Sequence, residues 1–248
     1  MKTTMHIAAQ YLATAAISFI PKKNDDSHTN LGWTNHSLET HKFPNGDQLG
    51  LNYESFSLEW KHQNGSKESL LLSESTHKEI KDWISETSIN SGIKNPYKYK
   101  LHYKLPYDEV TDDSRYTLTS KKELNTLIKQ RGLAQYVIAS ILKSNGFDSA
   151  IRIWTHHFDT GAFVTLSNKL SIGIGMAIPD DLINDFYFYI SGYKDNASIA
   201  LQLSNNINKE AYYNNGWQGF AMPISKLNEQ SAINFCQAAI NTYLNQEL

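Results

Sequence analysis

Residues 154–161 read WTHHFDTG, and the segments around them decide the fold: IRIWTHH at 151–157, GAFVTL at 161–166, KLSIGIGMAI at 169–178 and DFYFYISGY at 185–193. Each is short, rich in β-branched and aromatic residues, and bounded by Gly, Asn, Asp or Ser, as strands of an antiparallel sheet are. A further strand is predicted at WQGFAM, residues 217–222. Upstream, the apolar spacing predicts a helix from about Ser120 to Lys143, closed by Asn145 and Gly146, and a last helix is predicted to run to Leu248.

The first half of the chain has the same order. A helix over about residues 5–19 is followed by LGWTNHSL at 31–38 and by QLGLNYESFSLEW at 48–60, which alternates like a strand. The turn signal QNGS precedes ESLLLS, and THKEIKDWISET at 76–87 reads as a helix ending before Gly92. A shift of 121 positions lays Trp33, Thr34, His36 and Leu49 on Trp154, Thr155, His157 and Leu170, and AAQYLATAA parallels LAQYVIASI. The expectation is an α+β fold of two pseudo-repeated helix–antiparallel sheet–helix units packed together, at 1–90 and 119–248. Residues 91–118 are the connecting arm. Its KYKLHYKL alternation reads as an extended strand with lysines on a solvated face.

Composition narrows the function classes. With 40% apolar and 12% aromatic residues over 248 positions, the chain can fill a core. Twenty-three basic against 25 acidic residues give a net charge of −2, so neither nucleic acid nor a membrane surface is the expected partner. The opening MKTTMHIAAQYLATAAISFIPKK is interrupted by His6, Gln10 and Tyr11, and reads as an amphipathic helix stopped by Pro21 instead of a secretion signal. The single cysteine, Cys236, sits in the apolar-periodic SAINFCQAAINTYL as a packed thiol. No disulfide can form within the chain, and a reducing cytoplasm is the expected compartment.

Candidate chemistry concentrates at WTHHFDTG. If the strand continues through it, His157 and Asp159 share a face, whereas His156 shares its face with Trp154. An imidazole beside a carboxylate suits general acid–base work or two ligands of a cation, so His157 and Asp159 are the catalytic candidates of a metal-assisted or histidine/aspartate-based hydrolase. On this strand period His157, not His156, is the functional histidine. No GxSxG, HExxH or CxxC pattern accompanies them. GIGMAIP lacks the third glycine and following helix of a dinucleotide site, and no cofactor is specified. The aromatics Trp154, Tyr187, Tyr189 and Trp217, with His156 and, through the repeat, His36, are candidate ligand-binding residues. The leading expectation is a small-molecule binder with an aromatic pocket around WTHHFD. The other readings are the hydrolase and a structural module whose aromatics are all core.

In the order WTHHFDTG, GIGMAIPDD, DFYFYISGY and GWQGFAMP, the chain resembles an uncharacterised bacterial domain family with a Trp-Pro-His-His-Phe-Asp motif, a glycine-containing turn, a Tyr-Phe-Tyr strand and a Trp-Gly-apolar-Pro ending. On that match Trp154, His156, His157, Phe158 and Asp159 fill the first motif, Tyr187, Phe188 and Tyr189 the strand, and Trp217, Gly219 and Pro223 the ending. The family's histidine and glutamine on its first helix correspond to His6 and Gln10, which adds His6 to the ligand-binding candidates. Thr155 stands where the family has proline, and Ile178-Pro179-Asp180 departs from the glycine turn. The resemblance implies fold boundaries and motifs, and no activity.

Overall fold

A computed structural model describes residues 1–166, 169–201 and 211–245. The chain is α+β. In order along it come α1 (Lys2–Phe19), β1 (Gly32–Thr34), β2 (Ser37–Glu39), β3 (Gln48–Asn52), β4 (Ser57–Lys61), β5 (Lys67–Leu71) and α2 (His77–Asn90). They are followed by α3 (Lys121–Asn145), β6 (Arg152–Trp154), β7 (Asp159–Thr165), β8 (Leu170–Ala177), β9 (Tyr187–Lys194), β10 (Ala197–Ser198), β11 (Tyr212–Tyr213), β12 (Gly219–Pro223) and α4 (Glu229–Leu244). One antiparallel sheet has the order β1-β2-β3-β4-β5; the other has the order β11-β12-β9-β8-β7-β6, with β10 pairing with β9. The last helix ends at Leu244, short of the expected Leu248; residues 246–248 lie outside the described residues.

By their contacts the residues form two compact units. Met1–Gln130 with Ile153–His156 make the first, and Arg131–Arg152 with His157–Leu248 make the second. The division runs through WTHHFDTG, between its two histidines.

In the first unit, α1 buries Met5, Ala8, Ala9, Leu12, Ala15, Ala16 and Phe19, and its alanines let the helix lie close to β3. Phe19 meets Phe43 edge-to-face at 5.2 Å, Phe43 lies tilted against Trp60 at 5.3 Å, and the Trp60 indole donates to Asp47 Oδ2 at 2.8 Å. A capping box starts α2, where Glu79 N–H donates to Thr76 Oγ1 at 3.2 Å and Thr76 N–H to Glu79 Oε2 at 2.7 Å.

The arm at 91–118 lies wholly in this unit and corrects an expectation. Beyond isolated bridges at Arg115 and Tyr116 it forms no strand. The two-residue alternation survives without a sheet partner, because tyrosine hydroxyls bond to α1. Tyr97 meets Thr14 Oγ1 at 2.9 Å, Tyr103 donates to Gln10 Oε1 at 2.6 Å, and Tyr107 meets His6 Nδ1 at 3.0 Å. The arm thus runs antiparallel to the helix. Lys98, Lys100 and Lys104 alternate with these tyrosines and are exposed.

The second unit has one apolar core. Ala134, Val137, Ile138 and Ile141 of α3 and Ala232, Cys236, Ala239 and Ile240 of α4 bury one face of the sheet, formed by Ile172 and Ile174 of β8 and Phe188 and Ile190 of β9. α3 ends as its sequence indicates: Gly146 has φ +64°, its N–H donates to the Lys143 carbonyl, and Phe147 N–H donates to the Leu142 carbonyl.

Candidate functional site

The strand expected through IRIWTHH stops at Trp154. Residues 155–158 are a turn, closed by Phe158 in the left-handed region at φ 60°, and the next strand starts at Asp159. The shared strand face of His157 and Asp159 is therefore lost, because alternation holds only along an extended chain. Both His156 and His157 are exposed on the turn. The ring of His156 lies 5.7 Å from that of Tyr103 and 6.4 Å from that of Trp154.

Within the first unit, the structure brings His6, Gln10 and Thr155 into one buried polar network. His6, Gln10 and Thr14 are spaced by four and form a polar stripe on a helix that is otherwise buried through apolar residues. The Thr155 carbonyl accepts from Gln10 Nε2 at 3.0 Å and lies 2.9 Å from His6 Nε2. A carbonyl only accepts, so Nε2 carries the imidazole proton and Nδ1 is left to accept from the Tyr107 hydroxyl. Tyr103 lies 2.9 Å from Thr155 Oγ1 as well as donating to Gln10. Burial pushes its hydroxyl up to about 12, so it stays protonated. Both nitrogens of His6 are engaged inside the fold. This histidine holds α1, the arm and the 153–156 segment together, and it offers no valence to a ligand.

A different arrangement occupies the second unit, on the sheet face opposite the core. Phe188 enters the core while Tyr187 and Tyr189 point to the other side. The row Gly161–Gly175–Tyr189–Ala221 runs across β7, β8, β9 and β12. Glycine is needed in it: a Cβ at Gly175 would lie 2.4 Å from the Tyr189 ring, and one at Gly161 would lie 3.2 Å from its hydroxyl. The ring lies down over these glycines and donates to Asp159 Oδ2 at 2.5 Å. Burial, with the adjacent Asp159 charge, holds the Tyr189 hydroxyl far above its usual value, so it is the donor. Asp159 is only 8% exposed, and its other oxygen, Oδ1, is buried without a hydrogen-bond partner. Trp217 stands edge-on to Tyr189 at 6.2 Å, and the Tyr187 hydroxyl donates to Asp180 Oδ2 at 2.7 Å.

Of the aromatic candidates, Tyr187, Tyr189 and Trp217 thus belong with Asp159, whereas Trp154 belongs to the first unit. His36 is half exposed on the β1–β2 turn, with Nδ1 2.7 Å from Glu54 Oε1. Cys236 is buried in the core, where burial pushes its thiol up to about 12, far from the thiolate that reactivity needs. Among the described residues no three His, Cys, Asp or Glu side chains group as metal ligands, and no helix is long and apolar enough to cross a membrane.

Two features escaped the sequence reading. Arg131 occupies a position on the apolar stripe of α3, between Leu127 and Ala134, and is buried. It donates to the Phe158 carbonyl at 2.7 Å and Thr160 Oγ1 at 2.6 Å, with its guanidinium 4.3 Å from the Phe158 ring centre. These bonds fix the left-handed residue that aims Asp159. A charge at a core position of the helical period was the available signal. The second feature is His77, buried at the start of α2, 2.6 Å from the Tyr11 hydroxyl and edge-to-face with Tyr99 at 4.5 Å. No family model matches this chain, and no curated protein or solved structure is similar to it.

Proposed function

We propose that the second unit binds a small molecule on the sheet face formed by Asp159, Tyr187, Tyr189 and Trp217. The observation that carries this reading is the divided state of the Asp159 carboxylate. One oxygen takes the Tyr189 hydroxyl, while the other is buried and unpaired. Leaving a buried polar group unsatisfied costs about 1–3 kcal/mol, more when it is charged, and native proteins keep such atoms rare. A ligand that donates a hydrogen bond removes that cost on binding. Three aromatic side chains beside the carboxylate supply apolar contact area around one orienting polar group, the composition typical of small-molecule sites.

The polar network around His6 draws no comparable support, since its hydrogen-bonding groups are satisfied by the fold itself. Nor does the hydrolase reading, whose His157 lies on the exposed turn instead of the strand face it needed. The test is a fragment screen by ligand-observed NMR against the full chain, repeated with Asp159→Asn and Trp217→Ala. Hits that vanish in both variants, while circular dichroism shows the fold kept, are the expected result. Hits indifferent to both substitutions would sink the proposal.

A further inference from the structure

We infer that the ligand of this face is an organic cation, an ammonium group on a small carbon skeleton. This rests on the small-molecule reading above and narrows it by the chemistry of the face. The two tyrosine hydroxyls are already committed as donors, Tyr189 to Asp159 and Tyr187 to Asp180. Apart from the Trp217 indole N–H, what these groups still offer is acceptors: the unpaired Oδ1 of Asp159 and the π faces and edges of Tyr187, Tyr189 and Trp217. Donors and positive charge are what such a set recognises, and an anion meets two carboxylates.

The charge balance agrees. Among the described residues, the ion pair of this unit joins Lys169 to Asp195, and neither Asp159 nor Asp180 has a cationic partner. Arg131 bonds Thr160, whose neighbour in sequence is Asp159, but successive strand residues face opposite sides, and its bonds go to Thr160 and the Phe158 carbonyl. Among the described residues these two carboxylates, each bonded to a tyrosine of this face, thus lack a counter-charge. An ammonium supplies it, with its N–H or N–CH₃ groups against the rings and one donor, or its charge alone, at Oδ1. Trp217 and Tyr189 are partly exposed, so the aromatic edge of the site is open to solvent.

The experiment titrates the full chain with choline, tetramethylammonium and 1,4-diaminobutane, and with the neutral isostere 3,3-dimethyl-1-butanol, following tryptophan fluorescence and calorimetry. Saturable binding of at least one cation, about tenfold or more tighter than the isostere, is expected. It should be lost in Asp159→Asn, kept in Trp217→Phe, lost in Trp217→Leu, and weakened by added salt. Equal binding of isostere and cations overturns the cation inference and leaves the small-molecule reading standing. So does failure of all three cations while neutral fragments still bind in an Asp159-dependent way. If no fragment of any charge depends on Asp159, both fall together. Should Asp159→Asn fail to fold, the contrast between Trp217→Phe and Trp217→Leu decides, since both keep the carboxylate.

Discussion

Replacing Gly175 with Ala tests whether the glycine row exists to seat Tyr189. The backbone at Gly175 has no positive φ, so alanine meets no conformational penalty and the effect is purely steric. Its Cβ would arrive 2.4 Å from ring atoms of Tyr189, roughly 1 Å or more inside ordinary carbon contact. Overpacking of this kind costs about 1–3 kcal/mol. A ring forced off the sheet also gives up its bond to the Asp159 carboxylate, worth about 1.5–3 kcal/mol for a charged acceptor. The two effects overlap, and about 3 kcal/mol is expected in total. In a Tyr189→Ala background the same alanine meets open space, and loss of glycine's extra chain freedom favours it by about 0.5 kcal/mol. The coupling between the sites should therefore exceed about 2 kcal/mol. Hydrogen exchange of the β8 and β9 amides, with urea unfolding alongside, measures all four chains of the cycle. A Gly175→Ala protein within about 0.5 kcal/mol of the parent, or strictly additive effects, would refute the seating of the ring.

Other expectations are simpler to check. Burial, with Lys81 adding to it, lowers His77 to about 4 against an ordinary 6.5, so the folded state favours the neutral ring. The stability this contributes is complete above pH 6.5 and lost as pH falls from there through 4, on the order of 3 kcal/mol for the whole shift; His77→Gln should flatten unfolding curves measured between pH 7 and 4. Tyr103→Phe strands Gln10 Oε1 and Thr155 Oγ1 and should cost about 1–3 kcal/mol by thermal unfolding, whereas Lys104→Ala beside it should stay within about 0.5 kcal/mol. Cys236 should resist a thiol-disulfide reagent at pH 8 in the native protein and react fully in denaturant.

The helices and the strands after WTHHFDTG were legible because each carries its own period and punctuation. The helix end before Gly92, the Asn145-Gly146 stop and the alternation of Tyr187, Phe188 and Tyr189 are local signals with local consequences. The strand expected through the histidines is lost for an equally local reason. A phenylalanine seldom takes positive φ, so nothing in HHFD announced that Phe158 would break the strand, and Arg131, which holds it there, lies 27 residues away. The tyrosines of KYKLHYKL showed the correct period but not the partner, since a two-residue repeat does not reveal whether a sheet edge or a helix flank receives it. Asp159 was singled out for its proximity to His157, and it matters for its bond to Tyr189, 30 residues on.

The stretch 153–156 has a consequence for how the chain is made. His6 and Gln10 leave the ribosome well before the carbonyl they both bond, which belongs to Thr155, 149 and 145 residues later. At about 5–20 residues per second, that interval is roughly 7–30 s. Through it the buried stripe of α1 lacks the Thr155 carbonyl, and the order usual for multidomain chains, first unit first, does not hold. All of α3, whose residues from Arg131 onward belong to the second unit, is synthesised before the first unit is complete. Spatial division into two units is therefore not a division in time, and a nascent chain halted before residue 153 should leave α1 accessible to chaperone and protease.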